Sequence, residues 1–311
     1  MDKLFAIIFS AAFGYSVLRV TTPILFAALG ALISDKAGEI NIALEGTMLI
    51  SALTGVIFSA LFQNAWIGLL SAIIVGGLIG LLLAFFALKL KTDVILSGIA
   101  INLMAAGGTV FVLYLIAGNK GVSTELKSKV LPVWNIPLIK EIPVIGTIIS
   151  GHNVLTYISI LAVVVIFYLL YKTPLGLQIR AVGENPHAAD SVGISVKKVK
   201  FIALTISGVL AGFGGAYMSM GYMSMFQKNM TAGRGFIALA AEAMGGATPH
   251  GTLITSLFFG FADALSNHLQ SLRVPPEFVR MIPYIATLVG LVIYSSRKSS
   301  KIKKLKKQKA K

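Results

Sequence analysis

Few side chains in this 311-residue chain could do chemistry, and most stand in apolar company. Glu45, Glu242 and Asp263 lie within runs of otherwise apolar residues, where a charge is costly and an ionisable group is a functional candidate. Asn41 precedes Glu45 by four residues, so the two share one helical face if the helix has already begun there. Gly38 and Gly46 lie beside them and loosen the helix. A helix broken beside a pathway exposes backbone and side chains to a polar solute. Asn102 offers a donor and an acceptor together, which suits a nucleobase or a sugar hydroxyl. The candidate solute path is therefore Asn41, Glu45, Asn102 and Glu242. Structural roles stay open beside it: Glu45 capping or bracing a neighbouring helix, Asn102 bonding between helices, and Asp263 with Asn267 hydrogen-bonding near a helix end.

The same inventory argues against bond-making chemistry. His152, His187, His250 and His268 are scattered without metal-ligand spacing, so no metal site is expected. The chain has no cysteine, which removes thiolate ligands, disulfides and cysteine nucleophiles. No Ser-His-Asp set or carboxylate pair forms an enzyme motif, and no catalytic residue is assigned. The G-x-x-x-x-G-K-[ST] phosphate loop is absent as well, so an ATP-driven process would need its ATPase on another polypeptide.

The elements that position these residues follow from composition. The chain is 56% hydrophobic and 13% charged, whereas a soluble domain carries about a quarter charged residues. Apolar runs such as Ile67–Leu88 and Leu96–Ile116 recur along the sequence. Backbone in hydrocarbon must bond to itself, so the runs read as helices. The expected fold is all-α: a polytopic transmembrane bundle of about ten crossings, some short or broken, forming one transmembrane domain over 1–296. The spans fall at roughly 4–18, 21–34, 43–62, 66–88, 94–116, 153–171, 200–222, 235–248, 251–268 and 281–295. The first lacks a small-residue cleavage site and reads as a retained helix. Gly76-x-x-x-Gly80 and Gly208-x-x-x-Gly212 have the spacing that lets helices pack closely.

Charge orients the bundle. With both termini inside, 18 of the 27 Lys and Arg fall on the cytoplasmic side, nine of them in the tail 297–311. That tail suits contact with anionic membrane lipid and cytoplasmic retention, and no nucleic-acid partner is expected. The loop 117–152, with Pro132, Pro137, Pro143 and Trp134, then faces outward, either to receive a solute-delivering protein or as a structured cap. Ala37-Gly-Glu-Ile-Asn-Ile-Ala-Leu-Glu-Gly46 and Ala232-Gly-Arg-Gly-Phe-Ile-Ala-Leu-Ala-Ala241 share five residues in register. Chance in a Gly- and Ala-rich chain is one account, and an inverted repeat whose breaks meet near a solute path is the other.

The most informative stretch is Gly176-Leu-Gln-Ile-Arg-Ala-Val-Gly-Glu-Asn-Pro-His-Ala-Ala-Asp-Ser-Val-Gly-Ile194. Asn185 is a natural N-cap, Pro186 suits a first helical position and Gly193 a helix end. The stretch resembles the cytoplasmic coupling loop of ABC permeases in the family serving branched-chain amino acids, ribose-like sugars and nucleosides, and the Gly-rich helix from Ser207 to Ala216 follows it as in that family. Thr22-Pro23, Leu44-Glu-Gly46, Gly233-Arg-Gly-Phe-Ile-Ala-Leu-Ala240 and Ile282-Pro-Tyr284 extend the resemblance over most of the chain, toward the shorter permease of bacterial nucleoside importers. Gly245 to Gly251 departs from the family in lacking a bulky residue before the proline.

The resemblance implies a bacterial plasma-membrane permease that is not an enzyme and binds no cofactor itself, with ATP and Mg²⁺ in a partner ATPase subunit. It further implies a second homologous permease, a solute-binding lipoprotein and a nucleoside as cargo; a ribose-like sugar or branched-chain amino acid is the near alternative, and ion-coupled transport through Glu45 or Glu242 the distant one. On this reading Arg180, Gly183, Glu184, Asn185, Pro186, Ala188, Ala189, Gly193 and Ile194, in the loop 172–200, couple to the ATPase, and small Ala188 and Ala189 permit close docking.

Overall fold

The computed structural model describes residues 10–137 and 145–270, together with Ile285 and Val292. Among these it holds eleven α-helices and one two-stranded antiparallel ribbon. Six of the helices are long and apolar enough to cross a bilayer.

Ser10 starts α1 (Ala11–Lys36), its hydroxyl accepting the Phe13 N–H at 3.2 Å. This single helix corrects the expectation of separate spans at 4–18 and 21–34. The expected gap held Arg19, whose guanidinium instead donates to the Tyr222 carbonyl at 2.5 Å and lies 4.6 Å from the centre of that ring. The charge is satisfied without a loop. Every residue from Val20 to Ser34 is buried, and all-round burial suits a helix with no polar face.

Next along the chain come α2 (Leu44–Phe62), α3 (Ala65–Ala84, prolonged by a π turn at Phe85–Lys89) and α4 (Val94–Ala117), with α3 and α4 both packed on α2. Beyond the short α5 (Ile145–Ile149) come α6 (Val154–Lys172), the cap-and-proline helices α7 (Pro174–Glu184) and α8 (Pro186–Ser191), and α9 (Val196–Tyr217, with a π turn at Met218–Tyr222). The glycines at packing spacing meet as expected. A Cβ on Gly76 would strike the Gly208 carbonyl, and one on Gly212 the Ala72 carbonyl, so α3 and α9 touch backbone to backbone.

Two further expected spans change character. Residues 235–248 hold α10 (Arg234–Met244), whose 11 residues are too few to cross. Residues 251–268 fall within α11 (Pro249–Gln270), long enough but not apolar enough to join the six. The span 281–295 lies outside the described residues, apart from Ile285 and Val292, as does the tail.

The two ends of the bundle are marked by contacts of α1. Tyr15 donates to the Gly151 carbonyl at 2.9 Å and stacks on His152 at 4.0 Å. At the other end Lys36 and Gly38 pack against Gly183 of α7. Ser10 therefore lies opposite the 172–200 segment, which corrects the expectation that the amino-terminal end shares its side. The described residues of the segment 117–152 form a structured cap. Its stretch 121–131 bonds along 220–228, with Ser123 donating to Phe226, Lys228 to Gly121 and Leu131 to Met220 at 2.7–2.9 Å. The ribbon of β1 (Val133–Trp134) and β2 (His152–Asn153) closes it, a small strand pair that the all-helical reading missed.

Candidate functional site: a cleft between two helix starts

Two chain breaks inside the bundle create the site. Between α1 and α2 the chain turns at Gly38, which has φ +79°, and before α10 it turns at Gly233, φ +81°; both lie in the left-handed region that glycine tolerates. The two glycines are in register in the similar stretches, but α10 starts at once after Gly233 while α2 waits until Leu44. The helices then leave in opposite directions. Gln63, just past the end of α2, donates to the Lys127 carbonyl in the cap, whereas Glu242 near the end of α10 lies within electrostatic reach of Asp35 and Lys36.

A helix start leaves N–H groups without partners, and away from water each must find one. Three of the predicted solute-path residues supply them. Glu45 accepts Gly233 N–H on one oxygen at 2.8 Å and Gly235 N–H on the other at 2.7 Å, capping α10 with its charge. Asn102 accepts the Gly46 N–H at 2.7 Å and donates to the Ile42 carbonyl at 2.9 Å. Asn41, fully buried, accepts from Ala43 and donates to Ser207 of α9 at 2.9 Å. Gly46 and Gly235 make these approaches possible, because a Cβ on either would collide with Asn102 or Glu45.

Beside these braces opens a cleft of about 980 Å³. Its walls carry Glu45, Asn102 with Ile99 and Leu103 of α4, Phe236 and Ile237 of α10, and Asp263, Ser266 and Asn267 of α11. The turn 227–234 crosses one side and brings Gln227, Lys228 and Asn229, all exposed, to the space. Of the four residues expected on the path, Glu45 and Asn102 line this cleft. Asn41 is buried behind it. Glu242 is 6% exposed toward the other end of α10, with one carboxylate oxygen lacking a hydrogen-bond partner.

Arg234 is the residue the sequence reading passed over. Its guanidinium pairs with Asp263 at 2.8 Å, the two side chains 12% and 13% exposed, and also reaches the Met230 and Thr231 carbonyls at 3.4 Å. The signal was present: one basic and one acidic residue on neighbouring apolar stretches, where charges pair.

The segment 172–200 folds by its local signals. Thr173 caps α7 through Gly176 N–H, and Asn185 caps α8 through Ala188 N–H, both at 3.1 Å. Gly193, φ +84°, ends the second. Arg180 donates to the Leu170 carbonyl at 3.0 Å, tying α7 to α6. Glu184, Asn185, Ala188 and Gly193 are exposed; Pro186 and Ile194 are half-buried. Ala189, expected on the docking face, is instead 3% exposed and packs inward, because on so short a helix only one side can face out. Val192, 74% exposed and not singled out by its type, stands on the outer side.

The chain that builds this cleft is similar in sequence to several named transport proteins. The chain is 38% identical to NupQ, a guanosine ABC transporter permease protein of Bacillus subtilis, with 91% of each chain covered. It is 33% identical to NupC, a nucleoside ABC transporter permease protein of Lactococcus lactis, over 90% of each. It is also 33% identical, over 91% of each, to TsgC13 of Haloferax volcanii, provisionally named a glucose ABC transporter permease protein. The fold is similar to that of PsaBC from Streptococcus pneumoniae, solved in complex with Fab, at a TM-score of 0.54 and 15% identity, covering 93% of this chain and 94% of that one. The model of the family described as branched-chain amino acid transport system / permease component matches residues 15–291. A multi-pass bundle matched by this family model over most of its length, with relatives of near full-length coverage, belongs to that family, as the permease subunit of an ABC importer that leaves ATP hydrolysis to another chain.

Proposed function

We propose that this subunit passes an uncharged nucleoside through the cleft between α2, α4, α10 and α11. One observation carries the character of the cargo. Glu45 is satisfied by two backbone N–H groups, and Arg234 and Asp263 neutralise each other, so the walls have no strong unpaired charge beyond exposed Lys228. The groups left for a solute are amides, Gln227, Asn229 and Asn267, with the half-exposed ring of Phe236 beside them. Amides donate and accept at once, as a nucleobase edge and a ribose require. The names of NupQ and NupC support a nucleoside; that of TsgC13 supports a sugar.

On this reading the outer side of 186–193, with Ala188 and Val192, docks on an ATPase subunit that holds ATP and Mg²⁺. A solute-binding lipoprotein meets the cap 117–152, and a second homologous permease completes the pathway. Residues 1–296 form the permease domain, and the tail 297–311 meets anionic lipid on the ATPase side. Cap and Ser10 face outward. Uptake of labelled guanosine by cells with and without this chain tests the cargo. Deletion abolishes uptake, and excess adenosine competes while glucose, ribose, leucine and guanosine monophosphate do not. Competition by glucose would transfer the assignment to a sugar.

A further inference from the structure

The link between α1 and α2 is seven residues long, Ala37 to Ala43, and it touches each part an importer must coordinate. Gly183 of α7 packs on the Lys36 carbonyl and on Gly38 with no side chain between the backbones. Glu39 pairs with Lys200, one turn into α9, at 2.7 Å, and both side chains are only 14% exposed. Asn41 bonds Ser207, two turns further along α9, at 2.9 Å. The Ile42 carbonyl takes the Asn102 amide of α4, and one helical turn on, Glu45 holds the start of α10. One short segment thus packs on α7 and, with Glu45 just beyond it, ties α9 to the walls of the cleft through bonds of 2.7–2.9 Å.

We infer that Ala37–Ala43 is the strut that carries displacement of α7 to the cleft, with Glu39 and Lys200 as positioning residues that keep it in step with α9. The inference rests on reading 172–200 as the ATPase-docking segment. Close-packed backbone contacts do not deform continuously, so a shift of α7 at Gly183 must move Lys36 and Gly38 with it. The bonds of Asn41 and Ile42 then leave α2, α4 and α9 no freedom to stay behind. Glu39–Lys200 is the one ionic link in this line, and its partial burial makes a lone charge there costly.

The chain lacks cysteine, so Leu103→Cys and Lys228→Cys place a spin-label pair on two elements that line the cleft, with transport read in the chain without labels. In the complete transporter reconstituted in liposomes, ATP with Mg²⁺ shifts the distance between these labels. Glu39→Lys or Lys200→Glu abolishes that shift while the ATPase subunit stays bound and hydrolysis continues, and labelled guanosine moved per ATP falls roughly five- to tenfold. The double exchange Glu39→Lys/Lys200→Glu restores both. A single variant with the full distance shift, a single variant that releases the ATPase subunit, or a double exchange that restores nothing overturns the strut. Failure of the docking assignment reads differently: the ATPase subunit would remain bound to an Ala188→Arg variant.

Discussion

Three polar residues that look like solute ligands, Asn41, Glu45 and Asn102, have their polar atoms committed to backbone or to Ser207. Asn102→Ala leaves the Gly46 N–H and the Ile42 carbonyl unpaired, which costs about 1–3 kcal/mol each where water is excluded. Thermal unfolding in detergent checks this, and a variant as stable as wild type would show that water reaches the break. Glu45→Ala exposes the start of α10, a natural anion site. It is expected to lower guanosine uptake and let guanosine monophosphate compete, the opposite of wild type. Arg234→Ala leaves Asp263 with no cation, at about 3–5 kcal/mol if the pair behaves as buried, and Arg234→Ala/Asp263→Ala is expected to recover part of that stability. The sequence held these bracing roles open for Glu45 and Asn102 but could not name their partners, because type and spacing identify a polar residue in an apolar run without identifying what it meets. Glu45 meets Gly233 across 188 positions.

At the scale of elements, local chemistry was read correctly where a helix is built from its own neighbours. Asn185-Pro186 starts α8 and Gly193 ends it because cap, proline and left-handed glycine act within a few residues. The glycine pairs on α3 and α9 were legible for the same reason. Gly208→Val drives a side chain into the Gly76 carbonyl and is expected to prevent folding, whereas Gly107→Val on α4 meets nothing within 4 Å and is expected to leave thermal stability unchanged. The fusion of the first two spans was illegible, since Arg19 looks like an interruption until Tyr222 is beside it. The cap carries its own sensitivity. Burial pushes the pKa of His152 below the ordinary imidazole range; its bond to the Ile148 carbonyl opposes this and the Arg19 charge adds to it. The folded cap therefore binds fewer protons than the unfolded one as pH falls through 6.5, so its stability declines there. Protection of the amides in 145–153, taken relative to the exchange rate of an unfolded peptide at the same pH, is expected to fall on acidification, and His152→Gln to remove that dependence.

At the scale of the whole molecule, labelling reads its orientation in the membrane. Impermeant maleimide added outside intact cells should label Ser10→Cys and spare Val192→Cys, while permeabilised cells label both. Labelling of Val192→Cys from outside would turn the molecule over. Charge counting had placed the amino-terminal end on the side of 172–200 because it counted two crossings where α1 is a single helix from Ala11 to Lys36. Ala188→Arg is expected to release the ATPase subunit and abolish uptake with the bundle still inserted, as co-purification would show.

The bond from Glu45 to the start of α10 also sets a timetable for biogenesis. A ribosome adding about 5–20 residues per second needs roughly 10–40 s to make the 188 residues that separate Glu45 from Gly233. Asn41 waits almost as long for Ser207, 166 residues on. Throughout that interval the first helices reside in or beside the translocon with a carboxylate and an amide unsatisfied, so they cannot reach their final arrangement as they emerge. The amino-terminal third of the chain is completed by the last third, and nascent chains stalled before residue 233 should be cleared by membrane proteases, while those that pass it survive.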